Sequence, residues 1–139
     1  MKNKIVTKLM KSGLKFKSEQ IYLKSVKTLQ KKVQKSHYEI IKLAIVNSSP
    51  FANVRKKFNK RKRRVIKEVP YVLTESNRIN FAITNILLLV KKRSVKNCIS
   101  NFVEELIQSA KNNSESVLKK NELHKEAFLK KKYAAFRWF

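Results

Sequence analysis

Residues 77–92 are apolar around almost the whole circumference of a helix, and this segment constrains the fold more than any other. Its apolar positions are Ile79, Phe81, Ala82, Ile83, Ile86, Leu87, Leu88, Leu89 and Val90. A helix that is apolar on every side is usually the central, buried helix of its domain. The basic residues that follow, Lys91-Lys92-Arg93, suit the negative C-terminal end of such a helix. Other helices must therefore surround this segment.

Two helices are predicted near the start of the chain. The first runs from residue 4 to about residue 12 and is followed by Gly13, which suits the left-handed C′ position. The second begins at Ser18, a favourable N-cap residue. Its apolar residues recur at the three- and four-residue spacing of one helix face: Tyr22, Val26, Leu29 and Val33.

Three more helices complete the predicted bundle. Ser36 and Glu39 form a capping-box pattern that opens the third, which stops before Ser49-Pro50. A fifth helix follows the central one, with one face made of Val95, Cys98, Phe102, Val103, Leu106 and Ala110. The last helix runs from about Val117 toward Trp138, with inward positions Leu123, Ala127, Phe128, Tyr133 and Phe136.

The segment between the third and the central helix loses the helical spacing. Val65-Ile66 and residues 69–73 are β-branched or aromatic, and Pro70 restricts the second stretch to an edge position. These stretches predict two short strands of an edge hairpin, with the connection near residues 66–68. The predicted fold is mainly α: a bundle of about six helices with one basic β-hairpin inserted between the third and fourth helices. It forms one domain over residues 1–139, with the hairpin arm at about 53–74.

The charge of the chain indicates a polyanionic partner. Its 34 basic and 9 acidic residues give a formal net charge of +25, although 42% of the residues are apolar. That apolar content is too high for a disordered polycation. A compact domain with this charge repels itself, so binding to a polyanion is expected to stabilise it. Nucleic acid is the first candidate and an anionic membrane the second.

The remaining composition gives no indication of catalysis or of a cofactor. Cys98 is the only cysteine, and His37 and His124 have no acidic or thiol neighbour at metal-ligand spacing. Gly13 is the only glycine, so a glycine-rich phosphate loop is impossible. The longest apolar run, residues 86–90, is far shorter than the ~20 residues that span a bilayer. The N-terminus lacks a signal-peptide pattern. We therefore expect a protein that is not an enzyme and that needs no metal.

Eight of the ten residues from Arg55 to Arg64 are basic, and four of the seven arginines lie among them. Such a run is compatible with a nuclear-import tag, a solvated disordered tail, a membrane-surface patch or a structured arm on nucleic acid. Arginine contacts phosphate oxygens in pairs, which favours the structured arm. A nuclear tag would explain these ten residues but not the basic residues of every helix.

The candidate RNA-binding residues fall into two sets. In the hairpin they are Arg55, Lys56, Lys57, Lys60, Arg61, Lys62, Arg63, Arg64 and Lys67, with Phe58 and Tyr71 as possible stacking surfaces for a base or ribose. Elsewhere they are Lys15, Lys17, Arg78, Lys91, Lys92, Arg93, Lys119 and Lys120.

Several segments, in order, resemble the small-subunit ribosomal protein seven family (S-seven, bacterial and organellar type). They are IVTKLMKSGLKFKSEQIYLKSVKTL, FANVRKKFNKRKRRV, VPYVLTESNR, EELIQSA and VLKKNELHKEAFLKKKYAAFRW, which extend from about residue 5 to Trp138. Three departures are visible. The basic arm that usually precedes the first helix is missing, Ile66-Lys67 replaces paired glycines in a shorter hairpin, and Asn85 replaces a tryptophan.

The resemblance implies a structural role in translation. Members bind the 3′ major (head) domain of small-subunit rRNA, organise head assembly, and lie near the exit site and mRNA. The implied partners are small-subunit rRNA and neighbouring ribosomal proteins of the head and platform, with mRNA and exit-site tRNA nearby. No membrane and no homo-oligomer are expected.

The compartment is inferred from composition. Lysine, asparagine and isoleucine are abundant, whereas glycine, alanine and proline are scarce, as in the product of an AT-rich gene. Together with the shortened fold and the lack of a separate presequence, this favours an organelle-encoded protein of the mitochondrial ribosome. A plastid or an AT-rich bacterium is the alternative.

Two other functions stay open from the residues alone. A helical bundle with a basic ribbon is also compatible with a DNA-binding or nucleoid protein, which would prefer duplex DNA over structured RNA. A peripheral membrane protein would bind anionic vesicles even when RNA is in excess.

Overall fold

The computed structural model describes residues 1–33, 36–58, 65–93 and 98–138, with the backbone alone for residues 58, 65–67 and 136–138. Its elements, in order, are α1 (Lys2–Leu9), α2 (Lys15–Lys32), α3 (His37–Ser48), β1 (Ala52–Phe58), β2 (Val65–Val72), α4 (Glu75–Arg93), α5 (Cys98–Ala110), α6 (Glu115–Leu129) and a 3-10 helix (Lys131–Trp138). The predicted fold class is confirmed: the described residues form six α-helices, with an antiparallel hairpin between the third and the fourth.

Helix α4 lies at the centre of the bundle, as its apolar circumference predicts. It packs against α1, α3, α5 and α6. Its buried residues are Ala82, Ile83, Ile86, Leu87, Leu89 and Val90. Most of them join one core cluster with residues of α1, α2, α3 and α5. Of the other apolar positions of this helix, Ile79 and Phe81 are partly buried, and about half of the surface of Leu88 is exposed.

The first two helices differ from the prediction at the turn that joins them. Helix α1 ends at Leu9, and α2 begins at Lys15 with Leu14 as its N-cap. Gly13 does adopt the left-handed conformation (φ 74°), but in the loop rather than at C′ of α1. Ser18 is not an N-cap. It is buried inside α2, where its hydroxyl donates to the carbonyl of Lys15 at 2.7 Å. This internal bond satisfies the hydroxyl, so the helix can extend one turn further back.

Helix α3 has the predicted N-cap residue without the predicted capping bond. Ser36 occupies the N-cap position, but its side chain makes no capping hydrogen bond. The helix ends at Ser48, before Ser49-Pro50 as predicted. In α6 the capping bond does form, because the hydroxyl of Ser114 accepts from the backbone N–H of Val117.

The predicted last helix is divided at Lys130. The α-helix ends there (φ −97°, ψ 12°), and the chain continues as a 3-10 helix that packs against β2. The buried face that one continuous helix would have is therefore interrupted near residue 129. The prediction that Phe128 points inward is wrong, since 67% of its surface is exposed. Ala127 is buried as predicted.

The hairpin strands are longer than predicted and their connection lies elsewhere. Both β-branched stretches belong to the single strand β2, which pairs with β1 from Ala52↔Val72 to Phe58↔Val65. The connection therefore falls in residues 59–64, outside the described residues, and not near residues 66–68. Pro70 is tolerated because each strand of a two-stranded sheet has a free edge.

Candidate nucleic-acid interface

The base of the hairpin is held against the helical body by several contacts. The backbone N–H of Phe51 donates to Nε2 of His124 in α6 at 2.9 Å, and the carbonyl of Phe51 accepts from Leu73 at 3.0 Å. Glu68 of β2 pairs with Lys130, at the end of α6, and with Lys56 of β1 at 3.7 Å. The position of the hairpin is therefore set by the bundle.

Basic side chains from three elements lie along the hairpin and at its base. Arg55 and Lys56 of β1 are exposed, and the guanidinium of Arg78, in α4, lies 5.6 Å from the centre of the Phe51 ring. Lys120, from α6, is close enough to act electrostatically on His124. We call these residues, Phe51, Arg55, Lys56, Arg78 and Lys120, the hairpin-base surface.

The environment of His124 keeps its imidazole neutral. Its pKa lies below the ordinary value of 6.5, first because of burial and then because of the positive charges of Lys120 and Arg78. Since Nε2 accepts the hydrogen bond from Phe51, the ring proton lies on Nδ1. A neutral His124 therefore joins the hairpin to α6 beside a group of cations.

A second basic surface forms where the α1–α2 turn meets the end of α4. Lys11, Lys17 and Lys91 are among the residues that line a cavity of about 400 Å³ there, whose other walls are mainly apolar. Lys15, on the first turn of α2, is exposed and lies 4.0 Å from Glu19. We call Lys11, Lys15, Lys17 and Lys91 the turn-end surface. Arg78 and Lys91 are thirteen positions apart in α4, or about 20 Å along its axis at 1.5 Å per residue.

Other candidate residues have partners inside the protein. Arg93 contacts the fully buried carboxylate of Glu105, with 2.8 Å between Nη2 and Oε2. Lys119 lies 3.8 Å from Glu115 in the same helix. Lys92 is exposed, and Lys57 is half-buried on β1.

Part of the predicted basic run cannot be placed. Lys60, Arg61, Lys62, Arg63 and Arg64 lie outside the described residues, and Lys67 and Phe58 are described by their backbone alone. The hydroxyl of Tyr71 lies 3.5 Å from the side-chain amide of Asn53, which donates to it. All of these assignments to RNA binding stay predictions.

Two other features are absent from the described part of the chain. Within it, no group of three or more histidine, cysteine, aspartate or glutamate side chains is arranged to hold a metal ion. No helix among residues 1–33, 36–58, 65–93 and 98–138 is both long enough and apolar enough to cross a membrane.

Comparison with known families identifies the relatives of this chain. The family described as ribosomal protein S7p/S5e matches residues 1–131. The chain belongs to this family.

This chain aligns with most of the length of its curated relatives in the S7p/S5e family. The small ribosomal subunit protein uS7 of Oleidesulfovibrio alaskensis is 27% identical over 97% of this chain and 85% of its own length. The same protein of Wigglesworthia glossinidia brevipalpis is 29% identical, and the small ribosomal subunit protein uS7c of Euglena gracilis is 27% identical. Both of these alignments cover 98% of this chain and 85% of the relative.

Two residues of the hairpin base were not predicted as part of the site of this S7p/S5e family member. Phe51 follows Pro50 without a distinctive pattern, and His124 is interpreted from sequence as a polar helix residue. They are 73 positions apart in the chain and meet only in the folded structure. Their one sequence signal is that each lies within a segment of the family resemblance, Phe51 in FANVRKK and His124 in KKNELHKEA.

Proposed function

We propose that this chain, a structural component of the small ribosomal subunit and not an enzyme, binds the 3′ major (head) domain of small-subunit rRNA. In this role it organises head assembly and lies near the exit site and mRNA during translation. Its direct partners are small-subunit rRNA and neighbouring ribosomal proteins of the head and platform. It acts as one domain over residues 1–139, without a membrane and without a second copy of itself.

The observation that carries this proposal is the presence of two basic surfaces on one packed bundle. The hairpin-base surface and the turn-end surface lie near opposite ends of α4, where Arg78 and Lys91 are about 20 Å apart along the helix axis. Arg78 near the start of α4 and Lys91 near its end belong to the same rigid helix. Such an arrangement suits two phosphate backbones held at a fixed separation, as in a folded RNA junction.

Electrostatic attraction supplies most of the affinity in this mechanism. Each phosphate that a lysine or arginine neutralises releases a condensed counterion, so binding weakens steeply with salt. With ~6–10 phosphate contacts, the affinity falls by a factor of about 10³–10⁵ between 50 and 200 mM salt. Selectivity comes from the shape of the junction, because A-form RNA hides the base edges of its major groove.

Binding measurements on rRNA fragments test the proposal. We expect salt-dependent binding to a fragment of the 3′ major domain, with weaker binding to duplex DNA of equal length at the same salt. Arg55→Ala with Lys17→Ala, one change on each basic surface, reduces the salt slope by about 2. Lys42→Ala is the matched control, because it removes an exposed lysine of α3 that belongs to neither basic surface. A salt dependence close to zero, or a preference for duplex DNA, contradicts the proposal and favours a nucleoid protein.

We further propose that the ribosome in question is mitochondrial and that the gene is organelle-encoded. The support is compositional, and the plastid-type relative of Euglena gracilis keeps a plastid or a bacterium as the alternative. Crosslinking the protein to RNA in its native cells and sequencing the attached fragments tests this. Fragments of the mitochondrial small-subunit rRNA are expected. Fragments of a plastid or bacterial rRNA would correct the compartment but keep the function.

A further inference from the structure

Phe51 is an exposed aromatic residue on a fixed backbone, and the proposed function gives it no role. Its N–H and its carbonyl are both hydrogen-bonded, to His124 and Leu73. Nevertheless, 54% of its surface is exposed. An apolar ring of this size contributes little to the fold from such a position. Both backbone hydrogen bonds hold Phe51 in position, so the exposure of its ring is not the result of a loose chain end.

The surroundings of the ring are positively charged. The guanidinium of Arg78 lies 5.6 Å from the ring centre, within the range of a cation–π contact. The Nε of Arg78 is shielded from solvent and has no hydrogen-bond partner among the described residues. Lys120 and Arg78 both act on the neighbouring His124. A planar apolar face thus lies beside cations that attract phosphate.

We propose that Phe51, Arg78 and Lys120 form a subsite for one unpaired RNA nucleotide. The base stacks on the ring of Phe51, and Arg78 and Lys120 contact the phosphates on either side of it. This inference rests on the proposed RNA-binding function and adds a ligand class, an unstacked nucleotide, to the hairpin-base surface.

The ligand is an unpaired nucleotide rather than a duplex because of the geometry of stacking. In a double helix each base face is covered by its neighbours, so an aromatic side chain reaches only the backbone. A base in a loop, bulge or junction exposes its face and stacks on an aromatic ring. Every base has such a face, so the subsite tolerates different bases.

The test compares a single-stranded and a double-stranded probe. The single-stranded probe is an oligoadenosine RNA of about ten nucleotides, within the site sizes of single-strand binders. The other probe is an RNA duplex of the same length. We expect Phe51→Ala to weaken binding to the single strand by roughly 5- to 100-fold. Binding to the duplex changes little, and the salt slope stays the same because no charge is lost.

Matched variants separate stacking from other effects. Phe51→Trp keeps a planar ring and retains the affinity for the single strand, whereas Phe51→Leu keeps apolar bulk without a ring and loses it. Tyr38→Ala is the control, because Tyr38 has a similar exposure of 58% near the start of α3, away from both basic surfaces. Circular dichroism checks that all variants retain their helix content.

Each outcome decides a separate point. The subsite is overturned if Phe51→Ala binds the single strand as tightly as the unaltered protein, or loses affinity equally for both probes. In those cases, continued binding of the rRNA fragment leaves the proposed function intact. If the unaltered protein binds neither probe nor the rRNA fragment, the subsite and the proposed function both fail.

Discussion

Replacing Arg93 by alanine should destabilise the protein through one buried carboxylate. Glu105 has no solvent exposure, and Nη2 of Arg93 lies 2.8 Å from its Oε2. Among the described residues, neither oxygen of Glu105 receives a hydrogen bond of good geometry. The ion pair is therefore the principal compensation for burying this charge.

The size of this destabilisation depends on how deeply Arg93 and Glu105 are each buried. Removing one partner of a buried ion pair typically costs 3–5 kcal/mol, because the other charge stays buried without compensation. The side chain of Arg93 is 35% exposed, so water can partly replace it after truncation. We therefore expect the free energy of unfolding to fall by about 3 kcal/mol, the lower end of that range. The corresponding fall in the melting temperature is on the order of 10 °C.

Urea denaturation followed by circular dichroism measures this loss at neutral pH and fixed salt. Arg55→Ala removes an exposed arginine of the hairpin and serves as the control, with a change within about 0.5 kcal/mol. The double variant Arg93→Met with Glu105→Met restores most of the stability, because an apolar pair replaces both charges. The reasoning is refuted if Arg93→Ala is no less stable than Arg55→Ala, or if the double variant is less stable than Arg93→Ala.

Three further predictions concern contacts around the hairpin and between the helices. The pKa of His124 is lowered from 6.5 in the folded protein. As the pH drops below about 6.5, the unfolded chain binds a proton at His124 before the folded chain does, so the free energy of unfolding falls. In His124→Gln, the melting temperature should lack this part of the pH dependence. The hydrogen bond from Lys130 lowers the pKa of Glu68, so this pair stabilises the fold above the ordinary pKa of 4.5 and loses that contribution in acid. Melting curves of Glu68→Gln should therefore show a smaller loss of stability in acid than those of the unaltered protein. Ser116 shares hydrogen bonds with Ser48, Ser109 and Ser114 in the interior. Ser116→Ala should lower the free energy of unfolding by about 1–3 kcal/mol in urea denaturation, and Ser49→Ala, at an exposed bond, by less.

The parts of the fold that depend on apolar periodicity could be predicted from the sequence. The central position of α4 follows from its apolar circumference, and Leu29, Phe102 and Val103 are buried as their spacing predicts. Element boundaries were less predictable. Ser18 has the residue type of an N-cap, yet it bonds to a carbonyl one turn back inside α2. Both arrangements satisfy a serine hydroxyl, so residue type alone cannot choose between them.

The candidate site was less predictable because it depends on contacts between distant segments. The basic run indicates a nucleic-acid arm, but its strand β1 has no apolar alternation from which its length could be read. The contact of Phe51 with His124 closes a loop of 73 positions and leaves no local pattern. Likewise, nothing near Arg93 in the sequence indicates that Glu105 would engage it.

If both basic surfaces bind RNA as proposed, their separation along α4 has a consequence for how the subunit assembles. When one surface has bound its RNA segment, the other is held close to a second segment at a high effective concentration, on the order of millimolar for a short tether. Each contact alone can then stay weak and reversible, so a wrongly paired RNA segment is released quickly. Under the proposed function, only an RNA whose two segments match the spacing of the two surfaces retains the protein. In the proposed complex α4 would then work as a spacer that checks the tertiary geometry of the RNA before the complex becomes long-lived.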